Sequence, residues 1–480
     1  MNKRMTAYII GVILLAEAGL LLLPTFVAII YKEWQPLLSF LLTAVLVSFV
    51  GIFLCRIKVP KKTIYSREGF VAVALGWLAV SLGGALPFII SGEIPSFIDA
   101  FFETVSGFTT TGASILSSVE TLSKSIIFWR SFTHWIGGMG VLIFVIAALP
   151  LASGGSNIYL MRAESPGPDV SKLVPSSRGT AFRLYSIYFA ITVLEIVLLL
   201  CFGNSLFDSL TLSFGTAGTG GFAIRDTSLA DYNSATQIII TVFMTAFGVN
   251  FSCYYLLLLK KFKDFFKNEE VRAYLGILIC AIAIITINTA GNYDNAWVAL
   301  KHAAFQASSV MTTTGYVTVD FNKWPELSRM VMLLIMCVGA CVGSTGGGIK
   351  VARILILAKE AFRQFKCAVS PNRVESVRFN GRPVGEAMIT GITSFFILYM
   401  MMFVASVLIL SFDNKDTVSN ISGVIATLNN IGPGLGIVGA VGNYGSYSVV
   451  SKMVFIIDML AGRLEILPLL ALFSRRTWAD

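Results

Sequence analysis

Four short stretches of this 480-residue chain carry glycine, three of them with threonine, in an arrangement suited to holding a bare cation. The clearest are Phe108-Thr109-Thr110-Thr111-Gly112-Ala113 and Met311-Thr312-Thr313-Thr314-Gly315-Tyr316. Looser copies are Ala217-Gly218-Thr219-Gly220-Gly221-Phe222 and Asn429-Asn430-Ile431-Gly432-Pro433-Gly434. Glycine at 112, 220, 315 and 432 permits backbone angles closed to other residues, so successive carbonyls can face one axis. Threonine hydroxyls add oxygen ligands and loop-bracing hydrogen bonds. Carbonyl rings of this kind replace the hydration shell of an ion. A single TTTG reads as a surface turn. Four copies, each between a short, partly amphipathic stretch and a long apolar one, read instead as one shared pore. The repeat interval of roughly a hundred residues exceeds the 20–50 of solenoids and suits two membrane helices joined by a loop.

Such loops need a membrane around them, and the composition supplies one. The chain is 55% hydrophobic and only 13% charged, against about 25% charged in soluble domains. Apolar segments near the 20 residues that span a bilayer recur along its length, leaving no sizeable soluble domain. Non-helical backbone at membrane depth is tolerated only inside protein or around a water-filled cavity, so the four loops require a common cavity. The net charge of +9 does not signal nucleic acid, because Lys and Arg fall mostly in short loops where they set orientation. The first apolar segment, about 6–30, exceeds the 7–15 residue core of a signal peptide and is expected to stay as a membrane helix. Seven scattered cysteines have neither metal-site spacing nor a disulfide framework.

The elements follow from segment length and charge. Two helices, near 6–30 and 36–55, precede four helix–loop–helix repeats with helix pairs near 68–90 and 127–150, 184–203 and 234–259, 273–289 and 327–358, and 386–411 and 448–474. Basic residues cluster at Arg56–Arg67, in the Ser/Gly/Pro-rich linker from about 151 to 180 with Arg162, Lys172, Arg178 and then Arg183, at Lys260–Arg272, at Lys359–Arg382 and at Arg475-Arg476. These share one side only if every motif loop dips in and returns to the outer face, with both termini cytoplasmic. The expected fold is all-α and polytopic, with about ten membrane helices and four re-entrant loops in pseudo-fourfold arrangement. The expected units are 1–66, 67–180, 181–270, 271–382 and 383–480.

Two features lie within the second helices. Gly343-Ser344-Thr345-Gly346-Gly347-Gly348 interrupts an apolar run. It lacks the Walker pattern and its strand–helix setting, and its glycines suit close helix packing or a kink. Arg463 places a charge at membrane depth, which costs roughly 2.5–3.5 kcal/mol and calls for a cavity or a partner. Glu465 and Asp458 are the candidate partners. Glu93, Asp99, Glu103, Asp208, Asp294 and Asp320 either concentrate cations at the outer mouth or are ordinary solvated loop residues.

Trp135-Ile136-Gly137-Gly138-Met139-Gly140, Gly248-Val249-Asn250-Phe251-Ser252, the 343–348 run with Ile349-Lys350, and Gly462-Arg463-Leu464-Glu465 complete a full-length pattern. With the four loops, it resembles the Trk/Ktr/HKT superfamily of potassium and sodium transporters. The two extra N-terminal helices favour its bacterial TrkH type. The resemblance implies potassium uptake across the inner membrane without enzymatic catalysis or a covalent cofactor, K+ being held by Thr110, Thr111, Gly112, Gly218, Thr219, Gly220, Thr313, Thr314, Gly315, Asn430, Ile431 and Gly432. Glycine at all four filter positions goes with potassium preference, whereas a serine in place of Gly112 marks many sodium-transporting relatives. The fourth loop departs from the pattern in having no threonine. The resemblance further implies that Gly343, Ser344, Thr345, Gly346, Gly347 and Gly348 form an intramembrane gate, that Arg463 faces the pore beside it, and that a homodimer docks a TrkA-type cytoplasmic nucleotide-binding subunit. The basic loops at 162–183, 260–272 and 359–382 are the candidate docking surfaces. A sodium-selective or cation-coupled transporter is the near alternative. A membrane enzyme is the distant one, and His134 and His302 form no cluster for it.

Overall fold

The computed structural model describes residues 2–59, 66–140, 177–370 and 375–478. The segment expected as helix up to about 150, the linker with Arg162 and Lys172, and Lys61, Lys62 and Arg373 lie outside the described residues.

The protein is an all-α polytopic membrane protein. Six described helices are long and apolar enough to cross a bilayer: Lys3–Tyr31, Trp34–Cys55, and the first helix of each repeat. Those four first helices are Ser66–Ile90, Ser177–Cys201, Glu269–Thr289 and Glu386–Leu410. Their outward side chains are apolar, as lipid demands; Phe49 and Phe53 of the second helix are 71% and 65% exposed. Small residues bring the first two helices together, since a Cβ on Gly11 would lie 2.9 Å from the Gly51 carbonyl oxygen.

A half-length pore helix follows in each repeat: Phe97–Phe108, Leu206–Gly218, Ala296–Met311 and Thr417–Leu428. Ser96, Ser205, Asn295 and Asp416 cap their N-termini by accepting backbone N–H bonds. Each pore helix ends at a Thr/Gly motif, which fixes where the motif sits.

The second helices depart from the ten continuous spans read from apolar run length: among the described residues those of repeats two, three and four break partway, and that of repeat one ends at Gly138. The first runs Lys124–Gly138 and meets Gly140 at φ +88°. The second is Ser234–Phe247 followed by Phe251–Leu258, bent by 94°. The third is Glu326–Val338, then a loop, then Val351–Val369. The fourth is Val449–Leu464, then Glu465 and Ile466 with φ +59° and +66°, then Leu467–Phe473. A two- or three-residue break leaves the mean hydropathy of a segment unchanged, so only the glycine-rich third break was visible in the sequence. A small antiparallel hairpin, Arg378–Phe379 with Arg382–Pro383 around Asn380-Gly381, is an addition to the expected all-α plan.

Candidate functional site

The four motif loops adopt one backbone conformation. Thr110, Thr219, Thr313 and Asn430 have φ +57°, +54°, +60° and +54°, and two residues later Gly112, Gly221, Gly315 and Gly432 have φ +77°, +69°, +88° and +93°. The N–H donors of Thr111, Gly220, Thr314 and Ile431 bond to the carbonyls of Ser106, Gly215, Ser309 and Ala426, five residues back in every case. This fixes the register between repeats. The equivalent of Gly112, Gly315 and Gly432 is therefore Gly221, and Gly220 stands where the other loops carry Thr111, Thr314 and Ile431. The Gly218-Thr219-Gly220-Gly221 run let the sequence be aligned one residue early.

In this register the loops close on one another. A Cβ on Gly112 would lie 1.8 Å from the Gly220 carbonyl oxygen, one on Gly221 2.0 Å from that of Thr314, one on Gly315 2.2 Å from that of Ile431, and one on Gly432 2.7 Å from that of Thr111. Each glycine thus backs onto the carbonyl preceding the glycine of the next repeat, in the cyclic order one, two, three, four, one. All four glycines line a single outer cavity, with Asp226 at its rim. Any side chain here would strike backbone as well as forcing an unfavourable φ.

Bracing differs between loops. Thr109 and Thr111 hydroxyls bond at 2.8 Å, as do Thr312 and Thr314. Loop four replaces the missing hydroxyls with amides: Asn430 Nδ2 donates to Thr111 Oγ1 at 2.9 Å, and Asn429 Nδ2 to the Tyr399 hydroxyl at 2.8 Å. Second-helix glycines allow the approach from below, because a Cβ on Gly137 would sit 1.9 Å from the Phe108 carbonyl oxygen and one on Gly462 2.2 Å from that of Leu428. The glycines of the first- and fourth-repeat second-helix motifs therefore have a packing reason.

The loop in the third repeat spans 339–350, longer than the 343–348 run, and closes on itself through bonds from Lys350 N to Val338 O and Val351 N to Ala340 O, both 3.1 Å. It lies directly under the motifs. Gly347 N donates to Thr313 Oγ1 at 2.6 Å, and a Cβ on Gly347 would come within 2.2 Å of the Asn429 carbonyl oxygen. Gly343, Ser344, Gly346 and Gly347 line an inner cavity together with Lys350 and Arg463. Thr345 is buried beside it and donates to the Phe247 carbonyl at 3.3 Å. Gly348 stacks on Gly339, 2.6 Å from where its Cβ would stand to that Cα.

Arg463 donates to the Thr345 carbonyl at 3.0 Å, to that of Gly138 at 2.7 Å and to that of Gly137. It thereby joins the loop to the end of the first repeat's second helix. Of the carboxylates considered as its partners, Glu465 pairs with Arg353 and Asp458 accepts from Ser406 Oγ at 2.8 Å. Lys350 donates to the Gly346 carbonyl and adds a second cation to the same cavity. Its place beside the glycine run was the available signal.

Most of the acidic residues weighed for the outer mouth have other engagements. Asp99 and Asp208 lie in the first turns of pore helices, where a negative charge suits the helix dipole. Asp99 pairs with Lys452 at 2.6 Å, and Asp208 accepts from the Tyr232 hydroxyl at 3.0 Å. Buried Glu103 pairs with Arg130 at 2.6 Å and accepts from Ser114 Oγ at 2.9 Å and Ile115 N at 3.1 Å, tethering the exit of loop one. Glu93 holds Ser123 through N–H and hydroxyl bonds, and burial still raises its carboxyl above the usual range. Asp320 caps a short turn at Asn322 N, and Asp294 is exposed. His302 is tied structurally to Thr318 Oγ1 at 3.0 Å.

Comparison with known proteins follows from this geometry. The family described as TrkH, cation transport protein, matches residues 39–478. The chain is 36% identical over 488 residues to the Trk system potassium uptake protein TrkH of Salmonella typhimurium, and 35% identical over 489 residues to that of Vibrio parahaemolyticus, with 100% of each chain covered. It superimposes on the crystal structure of the potassium transporter TrkH from Vibrio parahaemolyticus with a TM-score of 0.89 at 32% identity, again over 100% of both chains. A full-length match in sequence and in fold places this chain in the TrkH family of cation transport proteins.

Proposed function

We propose that this protein takes up potassium across the bacterial inner membrane through the ring of four Thr/Gly loops. The observation that carries the reading is the cyclic closure of Gly112, Gly221, Gly315 and Gly432 onto the carbonyls of Gly220, Thr314, Ile431 and Thr111. A ring of backbone carbonyls from four equivalent loops is what a dehydrated cation requires. Thr110, Thr219, Thr313 and Asn430, with Gly218 below them, continue the lining inward. Four pore-helix C-termini end at the loops and add partial negative charge where the cation waits. An inside-negative potential assists by about 2.3 kcal/mol per charge per 100 mV.

The 339–350 loop is the gate in this reading. It lies under the filter in a closed position, and Arg463 and Lys350 set two positive charges against the departing ion. Both termini are cytoplasmic, the chain works as a homodimer, and a cytoplasmic nucleotide-binding subunit of the TrkA type moves the gate from the basic loops at 162–183, 260–272 and 359–382. Purified protein in proteoliposomes is expected to take up rubidium, with potassium competing strongly and sodium weakly. Uptake dominated by sodium would replace this reading with the sodium-selective one, and no cation uptake would end it.

A further inference from the structure

Loop two lacks both hydroxyls that brace loops one and three. Where those loops pair Thr109 with Thr111 and Thr312 with Thr314, it has Gly218 and Gly220. The space is filled from another repeat. His134, on the second helix of repeat one, is fully buried, and a Cβ on Gly220 would lie 1.5 Å from its Nδ1. A Cβ on Gly218 would lie 2.2 Å from the His134 carbonyl oxygen and 3.0 Å from its Cβ. One helical turn earlier, on the same face, Arg130 sets its guanidinium 4.0 Å from the centre of the Phe222 ring, and the imidazole meets that ring edge-on at 4.3 Å. Phe222 directly follows Gly221, the glycine that closes on the Thr314 carbonyl. Neither imidazole nitrogen bonds to a described protein group, so the ring acts on the loop by its shape.

We propose that His134 is a positioning residue for the second filter loop: an imidazole lent by repeat one in place of the paired threonines that loop two lacks, holding the Gly220 carbonyl in the ring and so setting ion preference. The proposal rests on the filter reading above. It explains why loop two alone tolerates glycine at both bracing positions, and it requires His134 and Gly220 to be matched in size.

The test is rubidium uptake, with sodium competition, into proteoliposomes bearing the full-length chain. His134→Ala is expected to lower the rubidium-over-sodium preference about tenfold, or about 1.4 kcal/mol, through a raised half-saturation concentration more than a lowered maximal rate. Gly220→Ala alone is expected to abolish uptake, because its methyl group meets the imidazole. Adding Gly220→Thr to His134→Ala is expected to recover most of the lost preference. Should His134→Ala not fold, His134→Gln takes its place under the same criteria. Unaltered preference in the His134 variant, or a Gly220→Ala defect no milder when His134 is truncated, overturns the proposal while leaving the filter reading intact. Failure of the unaltered protein to move rubidium overturns the filter reading itself.

Discussion

At the level of the Thr/Gly loops the four repeats contribute one backbone conformation in cyclic order, whereas beneath them the second helices of repeats two, three and four break in three different ways. The loops agree in backbone angles, in the five-residue hydrogen bond back to the pore helix and in the glycine that meets the next repeat. The layer below is dominated by one repeat, whose 339–350 loop reaches up to Thr313, and by one arginine from another. Backbone carbonyls are the same whatever the side chain, so near-fourfold symmetry survives sequence divergence where they are the working groups. If the 339–350 loop is the gate proposed above, obstruction of a single axis needs only one loop, and symmetry is free to lapse there. Substitutions in the two layers should accordingly act with opposite signs on flux.

The largest effect is expected from Glu103→Ala, which strands the buried Arg130 guanidinium and releases the exit of loop one. Losing one partner of a buried pair costs about 3–5 kcal/mol, to be seen as a large fall in the melting temperature of the detergent-solubilised protein. A fall no greater than for an exposed substitution would mean that the outer layer does not depend on this tether. Next is Gly221→Ala, where a methyl group would press on the Thr314 carbonyl at a φ unfavourable for alanine. Rubidium uptake should drop about a hundredfold, or about 2.7 kcal/mol, matching Gly315→Ala; a mild Gly221→Ala phenotype would break the register derived for loop two.

Arg463→Ala should act in the other direction, raising uptake about tenfold, or about 1.4 kcal/mol, by cutting the tie between the Thr345 carbonyl of the loop and the Gly137 and Gly138 carbonyls of repeat one, and by removing a charge from the inner cavity. Unchanged uptake would remove the electrostatic barrier and leave the two layers without the contrast in sign. The smallest expected change is for Asp99→Asn at the outer end of the first pore helix. Weakening an N-terminal dipole contact and a mostly buried ion pair, whose Asp99 and Lys452 side chains are 25% and 10% exposed, costs about 1 kcal/mol, so stability should shift slightly and ion preference not at all. A changed preference would return Asp99 to the role of a mouth residue.

Local chemistry made much of this legible before any coordinates. Glycine at recurring intervals, with threonine in three of the four copies, named the loops, and apolar run length named the first helices. These properties survive in sequence because each depends on a residue's own type and its near neighbours. What the sequence could not supply is set by groups far apart in the chain. The register of loop two hung on which of Gly218, Gly220 and Gly221 meets Thr314 across a repeat boundary. The second-helix breaks hide in runs whose hydropathy they do not alter. Their freed backbone groups are satisfied by other repeats, as when Phe251 N donates to the Gly343 carbonyl and Cys341 N to that of Gly248, both at 3.0 Å. The filling of loop two by His134, and the bonds of Arg463 to carbonyls of two other repeats, likewise depend on which surfaces the closed ring of repeats brings into contact. The sequence by itself determined the parts. Only the tertiary structure decided their registration, because close packing and hydrogen-bond satisfaction inside a bilayer are settled between repeats and not within them.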